Sequence, residues 1–216
     1  MMKKFCISVL VFFALFATSC SDFHVLKDIS LGSDYETVRN VLAQNKIKYT
    51  DYEAGGFLAG SYDCRNAEEI ADLIVEQSHV TMLGEMLYKD SFFFWHDFAN
   101  LKFETFIYFY DDKCSNIELK WHLNNNPSEI NGYLAAEKFM QYVCSLFPDC
   151  TFGPEEKDRT GHRKFVMQIT DTVSITVRAD EEVIYCDMED SELQKPYKEL
   201  HDQVDLLVKE LRNNKK

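Results

Sequence analysis

The sequence is short of the features that usually announce a function. No HExxH, GxSxG or Walker pattern occurs in its 216 residues. That removes the ready signatures of zinc proteases, serine hydrolases and P-loop nucleotidases. No CxxC occurs among its seven cysteines, so neither a zinc ribbon nor a thioredoxin-like site is indicated. Cations are scarce: 23 Lys and Arg stand against 36 Asp and Glu, a formal net charge of −13. Such a field repels nucleic acid and anionic lipid surfaces, so nucleic acid is not an expected partner. Beyond the first twenty residues, no hydrophobic run approaches the ~20 residues of a membrane-spanning helix. No cofactor, no metal and no catalytic residue is expected.

What is present begins at the N-terminus. Lys3 and Lys4 precede residues 5–17, which carry no charge. That length suits the core of a signal peptide better than a permanent span. Ala17, Thr18 and Ser19 are small, and Cys20 follows them directly. Residues 17–20 resemble the lipobox of bacterial lipoproteins, with Ala17 where that family usually has Leu. The resemblance implies that residues 1–19 are removed as a signal peptide and that Cys20 becomes a lipidated first residue bearing palmitate-type chains. It further implies anchoring in the cell envelope, at the outer membrane, with residues 20–30 as a lipidated tether. Ser21-Asp22 is similar to the surface-export signal of lipoproteins from Bacteroidota, which usually continues with acids where this chain has Phe23 and His24. Removing residues 1–19 takes away two lysines and no acid, moving the formal charge from −13 to −15.

Five cysteines then remain, an odd number: Cys64, Cys114, Cys144, Cys150 and Cys186. Cys144 and Cys150 flank Pro148, where a helix should end, so the chain can turn back and join them. The alternative is buried thiols serving as small apolar residues.

The remaining pattern is that of an α+β protein, with antiparallel sheet packed against helices. Ser33 with Glu36 has capping-box spacing and starts a helix that fades near Asn45. Residues 47–62 read as extended, broken by Gly55, Gly56 and Gly60; residues 67–77 as a helix; residues 80–88 as a strand. Residues 101–110 and 117–123 alternate with period two around a turn at 111–116, a strand-hairpin-strand signal. Both faces of 103–110 carry aromatics, so one face packs on helices and the other is covered too or forms a binding surface. Ser128 caps a helix over 129–146, which Pro148 stops. Three strands follow at 162–170, 172–178 and 183–188. A helix over 191–211 carries the stripe Leu200, Val204, Leu207, Val208 and Leu211.

This order yields two tandem units, 31–123 and 128–216, divided at residues 124–127, with the last helix closing the second. The layout resembles the helix-plus-antiparallel-sheet modules of the small outer-membrane assembly lipoprotein and the secreted β-lactamase inhibitor protein. The local likeness is Leu31-Gly32-Ser33 ahead of Glu36 and Val38. The resemblance implies a protein that presents sheet faces and loops to other proteins.

Two clusters invite chemistry. His96-Asp97 pairs an imidazole with a carboxylate, but neighbours on a strand point to opposite faces. Asp187, Glu189, Asp190 and Glu192 are acidic enough for calcium, yet lack the glycine and spacing of an EF-hand and read as a solvated helix start. The expectation is a non-enzymatic envelope protein that binds the membrane through its lipid and another envelope protein through its body. Phe93, Trp95, Phe106 and Tyr108 are the candidate contact surface. The alternative is small-molecule or glycan binding in an aromatic-lined pocket.

Overall fold

The computed structural model describes residues 23–52, 66–76, 90–110, 112–125 and 130–214. The leader, Cys20, Cys64, the glycine bend at 55–60, the strand expected over 80–88 and Ser128 lie outside the described residues.

Among the described residues the helices are α1 (Val25–Asp28), α2 (Tyr35–Gln44), α3 (Ala67–Glu76), α4 (Gly132–Leu146) and α5 (Ser191–Asn214). The strands are β1 (Thr50–Tyr52), β2 (Asp90–Phe98), β3 (Leu101–Tyr110), β4 (Lys113–His122), β5 (Thr151–Phe152), β6 (Glu156–Lys157), β7 (Arg163–Gln168), β8 (Val173–Ala179) and β9 (Val183–Asp190). The fold is α+β. All nine described strands belong to one antiparallel sheet, ordered β1-β2-β3-β4-β9-β8-β7-β5, with β6 beside β7.

Each expected unit supplies a helix and a strand meander, but the two are not separate bodies. β4 pairs with β9 from Asn116↔Glu189 to His122↔Val183. One apolar cluster, containing Phe92, Phe103, Trp121, Phe139, Ile175 and Ile184, draws on both halves. Residues 124–127 therefore separate two meanders that share a sheet and a core.

The alternation of β3 decides its orientation. Leu101, Phe103, Thr105, Ile107 and Phe109 are buried, and the residues between them are not. The buried face meets α2 and α4. Tyr35 of α2 stands 4.6 Å from the Phe92 ring and 5.1 Å from Phe109. Phe139 of α4 stands 5.1 Å from Phe103 and 5.8 Å from Phe98. Burying each such ring contributes roughly 1.5–3 kcal/mol relative to exposure.

Helix starts differ from the expected caps. Asp34, not Ser33, caps α2: its carboxylate accepts from the Thr37 N–H at 2.8 Å. The same hydrogen bond, with that from the Thr37 hydroxyl, holds the Asp34 pKa below its ordinary value. Asn131 caps α4, accepting from the Leu134 N–H at 3.1 Å, so this helix begins three residues later than 129. Asn131 thus does, three residues later, the job expected of Ser128, satisfying an orphan N–H of the first turn.

Two further differences have local causes. The tether expected over 20–30 is folded from α1 on: Val25, Leu26 and Ile29 lie in the core. Their spacing puts them on one side of a helical turn. The turn expected over 111–116 is shorter, since β4 already begins at Lys113. The register shifts between Tyr108 and Phe109, leaving Ser115 as the extra residue of a bulge. Ser115 donates its hydroxyl to the Tyr108 carbonyl at 3.1 Å, and its own carbonyl accepts from Gln194 Nε2 of α5 at 2.9 Å.

The stripe on α5 finds a partner in α3. Val204 and Val208 join Ile70, Ala71 and Ile74 in a second, smaller apolar cluster. Among the described residues no helix is long and apolar enough to cross a membrane.

Candidate functional site

The second face of the sheet takes part in neither apolar cluster. Phe93, Phe106, Tyr108, Tyr185 and Val166 all lie on it and belong to neither. Strand pairing arranges this face in rows. One row runs Phe93, Phe106, Glu118, Asp187, Thr176, Val166. The next runs Trp95, Glu104, Lys120, Tyr185, Arg178, Lys164. Aromatic side chains gather toward β1–β3 and charges toward β4, β9 and β8.

All four residues expected as a contact surface fall on this one face, because the odd positions of β2 (93, 95) and the even positions of β3 (106, 108) are the ones that point away from the helices. The Phe93 ring lies 4.9 Å from Phe106 and 6.1 Å from Trp95. Phe106 and Tyr108 stack at 6.0 Å with an interplanar angle of 9°. Trp95 is 41% exposed, and Phe93, Phe106 and Tyr108 are half-buried. Tyr52 of β1 extends the patch, 6.4 Å from Phe93 and 46% exposed.

Cations stand against this patch. Lys102 Nζ sits 4.7 Å from the Trp95 centroid. Lys120 Nζ sits 5.2 Å from Phe106 and 5.9 Å from Tyr185, and 2.7 Å from Glu118 Oε1. Each cation–π contact contributes about 0.5–1 kcal/mol at an exposed site. Burial alone would lower the Lys120 pKa, but the hydrogen bond and charge of Glu118 outweigh it and hold the ammonium above its ordinary value. Next to it Arg178 meets Asp187 at 2.6 Å. Burial nevertheless raises the Asp187 carboxyl above the usual range, with the Glu118 charge across the strand adding to it and Arg178 opposing.

Tyr52, Lys102, Lys120, Glu118 and Arg178 were not singled out from the sequence, and Asp187 was read only as part of an acidic run. The alternation of β4 exposes Glu118 and Lys120 as face-sharing residues, but their nearness to Phe106 and Asp187 depends on register, which the linear pattern does not carry.

The other candidates separate as follows. His96 points into the core, its ring 4.7 Å from Phe98 and 5.4 Å from Phe23, while Asp97 lies exposed opposite Lys102. Of the acidic run, Asp187 and Glu189 stay on β9, and Asp190 caps α5 by accepting from the Glu192 N–H at 2.9 Å. Among the described residues no group of three or more His, Cys, Asp and Glu is placed to hold a metal ion.

A further polar cluster joins loops. His162 reaches Asp158 at 3.3 Å and Asp180 at 3.1 Å, with the Thr160 hydroxyl 2.8 Å from Nδ1. Both carboxylates also accept backbone N–H groups, Asp158 from Thr160 and His162, Asp180 from Glu182 and Val183. The Thr160 hydroxyl, together with those amides and His162, pulls the Asp158 pKa down to about 2. With their oxygens so engaged, these groups fasten the β6–β7 loop to the β8–β9 hairpin.

A cleft of about 90 Å³ lined by His122, Leu123, Asn124, Glu182 and Val183 opens at the end of β4. Ligand pockets for small molecules usually run to ~300 Å³ or more and are lined by apolar and aromatic groups. The chain matches no protein-family model, no curated protein and no solved structure.

Proposed function

We propose that this chain is a lipid-anchored protein of the bacterial envelope that acts by binding another protein on the second face of its sheet, and that it is not an enzyme. The observation that carries this reading is the patch of Phe93, Trp95, Phe106 and Tyr108, gathered on the face that joins neither apolar cluster. Interfaces are enriched in aromatic side chains at their centres, and hot spots in Trp, Tyr and Arg. The lysines beside the rings supply polar contacts around such a centre. The anchor is the part of the reading that rests on Cys20 and the small residues before it.

Glycan or small-molecule binding is less well supported. The cleft beside His122 is small and lined by no Phe, Tyr or Trp. Among the described residues the aromatic surface open to a sugar is the patch itself, which lacks the enclosure such ligands usually receive.

The reading is tested by placing a photo-crosslinking residue at position 95 or 106 in the full chain and irradiating membranes. One discrete protein adduct is expected, lost on alanine replacement of the three patch residues that do not carry the probe (Phe93, Tyr108 and whichever of Trp95 and Phe106 is native) while the fold persists. A monomer with no adduct from either position would remove the binding face. Separately, Cys20→Ala should release the protein from membranes; a variant that still sediments with them would remove the anchor.

A further inference from the structure

The four described cysteines fall into two kinds. Cys114 and Cys186 lie in the main core. They sit on adjacent strands, but Cys186 stands opposite Leu119 and Cys114 opposite Phe109. Along β4 that separates them by about 16 Å at ~3.3 Å per residue, beyond the reach of a disulfide. Burial pushes the Cys114 thiol up to about 12 and the Cys186 thiol up as well, so both behave as small apolar groups.

Cys144 and Cys150 are different. Cys144 lies in the last turn of α4, and Cys150 immediately precedes the edge strand β5. Both are half-buried, and their Sγ atoms stand 3.2 Å apart. The turn that brings them together is fixed by its own bonds. The Phe147 N–H donates to the Val143 carbonyl at 2.9 Å and the Cys150 N–H to the Phe147 carbonyl at 3.0 Å. Pro148 between them cannot continue the helix.

We propose that Cys144 and Cys150 are the oxidised pair of this chain, a disulfide that ties the end of α4 to the start of β5. The oxidant is a small disulfide, R–S–S–R. One cysteine thiolate attacks it and displaces RS⁻, giving a mixed disulfide; the second thiolate attacks the protein sulfur and displaces the other RS⁻. Two protein S–H bonds and one R–S–S–R become one protein S–S bond and two R–SH, the two protons passing to the leaving thiolates. Burial, with the neighbouring Cys150, raises the Cys144 thiol to about 11. Thiolate is therefore scarce at neutral pH, and the bridge forms faster as pH rises. Its role follows from β5, which has two residues, meets β7 only at Thr151↔Gln168 and Phe152↔Met167, and carries exposed Phe152.

The test uses the full chain equilibrated in an oxidising glutathione buffer, acid-quenched, alkylated and cut by trypsin, which parts Cys144 from Cys114 at Lys120 and Lys138, together with a protease that cleaves before aspartate. Cleavage at Asp149 separates the two cysteines. The expected result is two peptides joined until reduced, and a melting temperature about 5 °C above that of the Cys144→Ser, Cys150→Ser double variant. Alkylation of both thiols, or linkage of either one to Cys64, Cys114 or Cys186, would overturn the pairing. A joined pair with no gain in melting temperature would overturn the tie between helix and strand. Should the double variant fail to fold, wild type measured before and after reduction gives the same comparison.

Discussion

The two faces of the sheet are made by the same strands, both carry aromatic rings, and they differ in what meets those rings. On the covered face rings meet rings: Phe98 lies 5.3 Å from Phe103, and both pack on Phe139 of α4. On the other face the rings also meet lysines, Lys102 over Trp95 and Lys120 over Phe106. An aromatic residue in a strand therefore records its fit to a pleated, half-buried surface as readily as full burial. Lysine ammonium groups stand beside the rings of the second face, as the heads of long charged side chains do where their stems lie along apolar surface.

That contrast is broken or upheld most directly by one truncation made on both faces. Phe103→Ala should cost about 3–5 kcal/mol, because it opens a cavity against α4. Phe106→Ala, three residues along β3, should cost less than ~1 kcal/mol. Denaturant midpoints of the two variants decide the matter. Equal losses would mean that the second face is packed as tightly as the first, and the binding reading would go with it.

The helical cover itself is probed by Gly132→Ala. Gly132 opens α4 and passes so close to the β8–β9 hairpin that an added Cβ would meet the Asp180 carbonyl oxygen at 2.2 Å. Backbone cannot swing aside as a side chain would. Although Ala favours helix over Gly by up to ~1 kcal/mol, the clash should leave the variant about 1–3 kcal/mol less stable. A neutral or stabilised variant, measured by the same denaturation, would show that α4 sits farther from the hairpin than this.

The residues that could be read in advance are those whose signal is local. The alternation of 101–110 marks one strand and both its faces. The pairing of Phe93 with Phe106 follows once residues 99–100 are seen as a tight turn, where Ala99 and Asn100 take φ of 50° and 64°. The residues that misled are those with local competitors. Ser33 and Asp34 are both good caps, and the choice between them depends on where Tyr35 packs against Phe92 and Phe109. Val25, Leu26 and Ile29 make too short a run for periodicity to register, so a segment expected to be a tether proved to be core. The pairing of β4 with β9 joins residues more than sixty positions apart and leaves no mark in either strand. The same non-local step assembles Lys120, Glu118, Asp187 and Arg178 beside the aromatic patch, which is why the rings were legible and their charged neighbours were not.

The smallest expected effect separates the faces within a single dipeptide. His96 and Asp97 are adjacent, yet one points into the core and the other into solvent opposite Lys102. Burial lowers the His96 pKa below its ordinary 6.5, with the charge of His24 assisting, and outweighs the Phe23 backbone hydrogen bond and the Asp97 charge, which act upward. The unfolded chain therefore takes up a proton near pH 6.5 that the folded protein still refuses. The folded state keeps its full advantage above 6.5 and loses it as pH falls from there through the depressed folded value. His96→Gln, which does not titrate, should flatten the fall in denaturant midpoint across that window while leaving other acid losses in place. If wild type and variant decline in parallel, His96 already shares its proton equilibrium with water, and the covered face is less closed at this edge than the packing of Phe23 and Phe98 implies.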